Sequence, residues 1–597
     1  MAQAAAALGL ESRAGHGAQE EALARFEGAS ESTDAMAQRR VSDAILRRAI
    51  KAWRSGDIAR AGRLALEATS SDDTNAQAYH ILAMSLERMG HLHKALVTYE
   101  RAFQLDPDDP DLLINLGLTA WGLKMRDGAT EMFRRFIDMK PDSPLGYNNL
   151  GTILCEMGEA NTAIEMLRDT LLRMPNEPIL WNSLATVLAE CGRAEESIVF
   201  YSEALRLAPQ FARPWHNMGF AFSHLGELEQ ALDAYDHALA RAIDPTEVME
   251  GKHSRSVCLI GMGRLEEGFR AYEIRHSPRF RCYVHHMLKA PVWNGEPLAG
   301  KRLLVVGEQG LGDELMFSTV LPDLADAVGP DGKLQIAVDP RLVSLFARSF
   351  PTAEVGSYDD RRVISRDGGQ EVRFIPWAVE DAEPDFYAPM GTPLQFLRRR
   401  VEDFPPRALL KPDPQRVAEY RRRLEALGQG PFVGICWRSM MQDIKRQKYF
   451  SPLDAWGPVL TAKGVTLVNV QYGECGEDLA RARAQHGVDI IAFEDLDLKN
   501  DIEGAAALSA ALDLVISAPT AAAAIAAATG TEVWFLTAGR TWPQLGTDRF
   551  PWYAKTRVLS PRRFGDWDEL MPRAGKELEA FARDDSPWLR AAGGNPW

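Results

Sequence analysis

The chain of 597 residues has no long apolar run that could span a bilayer. Its longest charge-free stretch of that kind, Leu514 to Thr531, is mostly alanine and contains Ser517, Pro519, three threonines and Gly530. A buried strand, a turn and a small-residue helix account for it better than lipid does. Excess positive charge is also lacking. Lys and Arg number 68 against 83 Asp and Glu, a net charge of −15. A bulk nucleic-acid binder would need a basic footprint, so that class is excluded. Cysteines are six, Cys155, Cys191, Cys258, Cys282, Cys436 and Cys475, and none forms a CxxC pair. Neither a zinc site nor a disulfide framework is implied, and a reducing compartment fits. Met1 to Leu10 is Ala-rich without a basic n-region, which argues against a signal peptide. With 46% apolar and 25% charged residues, the expectation is a globular, cytoplasmic protein. Residues 1–41 are poor in large apolar groups and are expected to form a mobile tail.

What is present is a period of 34 residues. Pro107, Pro141, Pro175 and Pro209 keep that step, as do Gly158, Gly192 and Gly226, with Gly90 two steps earlier. Ala95, Ala129, Ala163, Ser197 and Ala231 form a small-residue ladder. Tyr99, Phe133, Leu167, Tyr201 and Tyr235 form a bulky one, and Tyr79, Leu113, Tyr147, Trp181 and Trp215 another. Small residues let two helices approach, and bulky ones fill the space between helix pairs. Glycine ends the first helix of each pair and proline the second. The pattern resembles the tetratricopeptide repeat (TPR). It implies an all-α solenoid over residues 42–280, with about seven helix pairs and a groove for extended or helical peptide. Asn115, Asn149 and Asn217 occupy the sixth position of their repeats; in the repeat starting at 178 that position is Ser183, with Asn182 beside it. Asn amides both donate and accept, so such a ladder could grip a peptide backbone. It resembles the asparagine ladder of O-linked N-acetylglucosamine transferases. Simple tolerance of Asn on an exposed helix face is the competing explanation.

From about residue 300 the period changes to alternating strands and helices. Strands are expected at 301–307, 333–338 and 353–358, with a helix near 340–349. A Pro-rich stretch from Phe404 to Pro414 reads as a linker. Beyond it, strands are expected at 432–436, 465–471, 488–492, 512–517 and 531–536. Helices are expected near 452–463, 476–486, 502–511 and 520–529. Alternation of this kind implies parallel sheets. Two such lobes, 281–404 and 415–597, resemble the GT-B glycosyltransferase fold. A two-lobed epimerase or a binding protein has the same outline.

Two turns could carry chemistry. Gly307-Glu308-Gln309-Gly310-Leu311-Gly312-Asp313-Glu314 joins a strand to a helix, and Gly310 and Gly312 permit close approach to a ligand. The string from Ala290 to Leu324 resembles bacterial TPR-containing glycosyltransferases, and its GLGD piece resembles lipopolysaccharide heptosyltransferases. That resemblance makes Asp313 the general base. Helix capping by Asp313 is the competing reading, and Glu308 and Glu314 are rival carboxylates. In the second lobe, Arg438, Lys445, Arg446, Lys448 and Tyr449 follow a strand end, where cations could stabilise a departing phosphate. A solvated basic loop is the plainer account. Gln471 and Tyr472 could meet the base or ribose. Asp495 and Asp497 spell DxD but lie between strand and helix, so no metal is expected. Asp501 and Glu503 read as a helix start.

The turn Ser517-Ala518-Pro519-Thr520-Ala521 departs from its relatives, which carry Asp-Thr-Ser followed by a His. Here Pro519 and Ala524 replace the Asp and the His, while Thr520 remains. The helix start just after Pro519, at Thr520 and Ala521, still offers N–H groups to an anion. The resemblance then shifts to the subgroup associated with flagellin glycosylation. It implies a cytoplasmic O-glycosyltransferase with flagellin as partner, a CMP-activated nonulosonic acid as donor and no cofactor. Transfer of a neutral sugar to another acceptor is one alternative. A non-enzymatic export or assembly adaptor is the other.

Overall fold

The computed structural model describes residues 33–280, 283–365, 368–405, 407–440 and 444–583. The tail expected over 1–41 therefore lies outside the described residues up to residue 32, and from Thr33 the chain is helical. Seven helical hairpins follow in order. They are α1 (Thr33–Arg54) with α2 (Ile58–Ser71), α3 (Ala76–Arg88) with α4 (Leu92–Leu105), and α5 (Pro110–Gly122) with α6 (Arg126–Met139). Then come α7 (Pro144–Glu156) with α8 (Ala160–Arg173), and α9 (Pro178–Glu190) with α10 (Ala194–Leu207). The last two pair α11 (Ala212–Leu225) with α12 (Leu228–Leu239), and α13 (Pro245–Gly261) with α14 (Leu265–Tyr272).

The ladders explain the hairpins. Gly90, Gly158, Gly192 and Gly226 have φ between 78° and 86°, the left-handed geometry that turns the first helix into the second. Position 124, where the glycine ladder is broken, keeps that geometry with Lys124 at φ 63°. Tyr99, Phe133, Leu167, Tyr201 and Tyr235 are at most 2% exposed. A further ladder explains how they fit: a Cβ on Gly117 would stand 2.5 Å from the Phe133 ring, and one on Gly219 would stand 2.8 Å from Tyr235.

The chain divides into two compact units. One runs to Val187 and includes the short segment Arg362–Gln370; the other holds Leu188–Arg361 and Glu371 onward. The division falls within α9.

Beyond the hairpins, β1 (Val284–His286) precedes β2 (Arg302–Val306), α15 (Leu311–Phe317) and α16 (Leu321–Val328). Next come β3 (Lys333–Val338), α17 (Val343–Ser349), β4 (Glu354–Ser357), β5 (Asp359–Ser365), β6 (Gly368–Phe374) and β7 (Phe386–Pro389). The short α18 (Leu394–Leu397) leads to α19 (Pro414–Leu427) and β8 (Phe432–Cys436). The remainder is α20 (Ile444–Gln447), α21 (Gly457–Leu460), β9 (Thr466–Asn469), α22 (Gly476–His486) and α23 (Ile502–Ala510). It closes with β10 (Leu514–Ser517), α24 (Ala521–Ala528), β11 (Val533–Leu536), β12 (Thr556–Leu559) and α25 (Trp567–Ala582).

These strands form a parallel four-stranded sheet, β4-β3-β2-β7, a parallel five-stranded sheet, β12-β11-β10-β8-β9, and a three-stranded sheet, β1-β6-β5. Val488–Ala492, expected as a strand, makes only a single bridge, Ile491 to Val468. The strands β1, β5, β6, β7 and β12 are not in the sequence reading. They are short or rich in charged residues, so no apolar run marks them.

One core joins the last hairpin to both parallel sheets. It runs from Ile260, Leu265 and Phe269 through Leu303 and Val305 to Val515 and Val533. Trp552, fully buried, sits among Phe269, Phe317, Phe404 and Trp542, with ring centroids 4.9 to 6.2 Å away. Replacing Trp552 by Ala should destabilise the second unit by about 3–5 kcal/mol. A lowered unfolding midpoint for that unit in a urea titration checks this; an unchanged midpoint would refute the central role of the ring.

Candidate functional site

In an open parallel sheet, ligands bind beyond the carboxyl ends of strands where the strand order reverses. The five-stranded sheet reverses between β8 and β10, and the four-stranded one between β2 and β7. The turns leaving β2 and β10 meet. A Cβ on Gly312, in α15, would lie 3.9 Å from Ala521 at the start of α24.

Three carboxylates follow β2 within seven residues, and their surroundings differ. Glu308 is buried against Arg275, which follows α14 and is itself 4% exposed. The guanidinium grips both oxygens at 2.8 and 2.9 Å, and the Gly391 N–H donates to one of them. Burial alone would raise the Glu308 pKa, but Arg275 overrides it and holds the group at about 2. Glu314 is fully buried and accepts from the Tyr358 hydroxyl and the Asp339 N–H. Burial pushes it up to about 7.

Asp313 is half-buried. Its carboxylate accepts one bond, from the Gly310 N–H at 3.2 Å, and so does cap the helix. Burial, with the charge of Glu308 adding to it, pushes Asp313 up to about 6 against that bond. Of the three, Asp313 alone keeps accessible oxygen with proton affinity near neutrality, which suits a base.

The turn glycines divide their roles differently from expectation. The left-handed residue is Gln309, φ 64°, whose amide donates to the Tyr272 hydroxyl at 2.7 Å. Gly307 is the tightest position, because a Cβ there would stand 2.4 Å from the Glu314 carboxyl. Gly310 and Gly312 line an open approach.

Beyond β8 and β9 lies a pocket of about 700 Å³ lined by Arg438, Gln471, Tyr472, Glu474, Phe493 and Lys499, among others. A narrower, mostly apolar slot of about 100 Å³ adjoins it, between Leu311 on α15 and Ala521 and Ala522 on α24. Met440, Tyr472, Leu498 and Lys499 line both spaces. Lys499 is absent from the sequence reading; it sits in an irregular segment with no motif around it.

Several residues expected to touch a donor also bond within the protein. The Gln471 amide is saturated by backbone: it accepts from the N–H groups of Trp437 and Arg438 and donates to the carbonyls of Arg438 and Tyr472, all within 3.1 Å. Arg438 pairs with Asp478 at 2.8 Å and donates to the Glu474 carbonyl, so its charge is offset. Tyr449 bonds His224 of α11 at 2.8 Å. Arg446 is exposed, and the side chain of Lys445 lies outside the described residues. Pro519 is exposed. The Thr520 hydroxyl caps α24, accepting from the Ala523 N–H at 3.4 Å. Asp495 pairs with Arg423, while Asp497 caps the turn at Lys499 and Asn500. Asp501 caps α23, as expected of a helix start.

The asparagines are less open than a groove-facing ladder requires. Asn149 is 6% and Asn182 7% exposed. Asn115 bonds His80 at 2.9 Å, and Asn217 is half-buried. Asn148, one position earlier, accepts from the Ser183 hydroxyl at 2.7 Å.

Removing Arg275 would leave Glu308 charged and buried. Arg275→Met should cost about 3–5 kcal/mol, and adding Glu308→Met should recover much of the loss. Thermal unfolding of the single and double variants tests this; equal losses in both would show that charge pairing is not the cause.

Family models described as tetratricopeptide repeat match residues 76–119, 179–211 and 212–242. Solved structures similar to part of the chain include YrrB, described as a TPR protein with an unusual peptide-binding site. It is 21% identical, with TM-score 0.23, covering 32% of this chain and 97% of that one. A tetratricopeptide repeat protein from Parabacteroides merdae is 14% identical, with TM-score 0.35, covering 39% of this chain and 91% of that one. Protein FlbA of Caulobacter vibrioides is 40% identical over 570 residues, which span 95% of this chain and 94% of FlbA. Identity at that level along nearly the whole of both chains means that the protein belongs to the FlbA family.

Proposed function

We propose that the protein is a GT-B glycosyltransferase acting on protein hydroxyls. Its repeats hold flagellin, and the seam between the two parallel sheets transfers a nonulosonic acid from a CMP-activated donor to Ser or Thr. The observation that carries this reading is the meeting of two strand-end turns, α15 against α24, with Asp313 the least committed of three neighbouring carboxylates.

In this reading the acceptor hydroxyl attacks the anomeric carbon of the sugar as its bond to the phosphate oxygen breaks. Asp313 takes the hydroxyl proton, and CMP leaves with the bonding electrons. The N–H groups at the start of α24 and the Lys499 ammonium at the pocket wall offset the charge on the leaving phosphate. Tyr472 stacks on the base. A donor that brings its own carboxylate suits a turn in which Pro519 and Thr520 supply no acidic side chain.

The adaptor reading draws support from one observation: Gln471, Arg438 and Tyr449 are engaged within the protein. Intact mass of flagellin after incubation with the protein and a CMP-nonulosonate separates the two. Transfer adds one sugar mass per modified hydroxyl. Flagellin that binds yet gains no mass with any activated sugar leaves the adaptor. Asp313→Asn should lower kcat by about 100- to 10,000-fold while leaving CMP affinity unchanged. The base must be ionised, and its folded pKa is raised to about 6, so the rate should fall as pH drops through 6. A rate independent of pH between 5 and 7.5 would remove Asp313 from that role.

A further inference from the structure

The segment that leaves the carboxyl end of β8 does not stay at the pocket. Its backbone is clamped at Trp437 and Arg438 by Gln471, and Met440 lines both spaces. After α20 it lands on the repeats. The Lys448 ammonium, with its side chain only 8% exposed, pairs with Glu190 at the end of α9 at 2.9 Å. It also stands 5.4 Å from the Phe220 ring of α11. The Tyr449 hydroxyl bonds Nε2 of His224, and its ring packs edge-on against Phe564 beyond β12. His224 stacks on Phe564 at 4.5 Å. One small cluster therefore joins α11, the β8 segment and the β12 segment.

The chemistry of this cluster points to registration more than to strength. Burial, with Lys448 adding to it, holds His224 down to about 3, so the ring is neutral and Lys448 with Glu190 is the charged pair of the contact. A carboxylate at a helix C-terminus opposes the helix dipole, so Glu190 needs a cation there. A buried ion pair contributes little net stability over apolar side chains of similar volume, but a shift that separates its members leaves a charge without compensation. At the pocket end of the same segment, Tyr472 hydrogen-bonds Ser439 and the backbone of Met440.

We propose that Lys448 and Tyr449 are positioning residues: by docking the β8 segment on α9 and α11, they hold Met440 and Tyr472 at the pocket in register with the repeats. The proposal rests on the transferase reading for its functional consequence but not for the docking itself. The test uses the full chain with Lys448→Met, Tyr449→Phe and the exchanged pair Lys448→Glu with Glu190→Lys. Three quantities are read: amide hydrogen exchange over residues 437–440 and 444–450, CMP affinity by calorimetry, and kcat and KM for flagellin. Lys448→Met should speed exchange in both segments, weaken CMP about five-fold and lower kcat, with KM for flagellin held. Tyr449→Phe should do the same to a smaller degree, and the exchanged pair should return all three towards wild type. Unchanged exchange at 437–440 and unchanged CMP affinity in Lys448→Met would overturn the proposal, as would an exchanged pair no better than Lys448→Met. If wild type neither binds CMP nor transfers sugar, the transferase reading fails, and the exchange measurements still decide the docking.

Discussion

The Arg275 guanidinium ties the last repeat helix to the carboxylates of the candidate site. Arg275 leaves the last helix of the repeats and enters the carboxyl end of β2, where it holds both oxygens of Glu308 out of contact with solvent. The pair sets the charge at the turn. With Glu308 fixed as an anion, its neighbour Asp313 gains proton affinity from a nearby negative charge as well as from burial. Gly391 must be glycine for the same reason, since a Cβ there would press on both members of the pair. The aromatic group around Trp552 supports this arrangement from beneath, joining Phe269 of the last hairpin to Phe317 behind the turn.

The three carboxylates of one turn illustrate how position within a few ångströms separates roles. Glu308 is locked by a cation, Glu314 is sealed under a tyrosine, and Asp313 faces the seam with a single N–H bond. The same principle works in reverse around the pocket. Gln471, Arg438 and Tyr449 have the chemistry of donor contacts, yet each is occupied by a protein partner that brings two segments together. Arg438 and Gln471 still line the larger pocket, while Tyr472, Met440 and Lys499 line both spaces.

Much of the architecture was legible in the residues. The 34-residue ladders located seven hairpins, because helix pairing demands a small residue, a bulky residue and a left-handed turn at fixed offsets, and only a few side chains meet each demand. Lys124 is the instructive exception: the left-handed turn geometry is kept there without glycine. Central parallel strands such as 333–338 and 432–436 appeared at their observed bounds, since burial on both faces leaves an unbroken apolar run. Edge and accessory strands carry no such run, so β1, β5, β6, β7 and β12 passed unseen, and Val488–Ala492 looked like a strand but made one bridge.

By itself, then, the sequence determined the periodic helices, the parallel sheets and the shortlist of polar residues at their strand ends, all local consequences of spacing and hydrophobic pattern. Tertiary structure alone decided which of those polar groups face solvent and which face one another. The partners of Glu308, Arg438 and Tyr449 lie 33, 40 and 225 residues away in the chain. No local pattern encodes contacts at such separations. They follow from how the last hairpin and the two sheets pack, and that packing leaves Asp313 available while its neighbours are consumed.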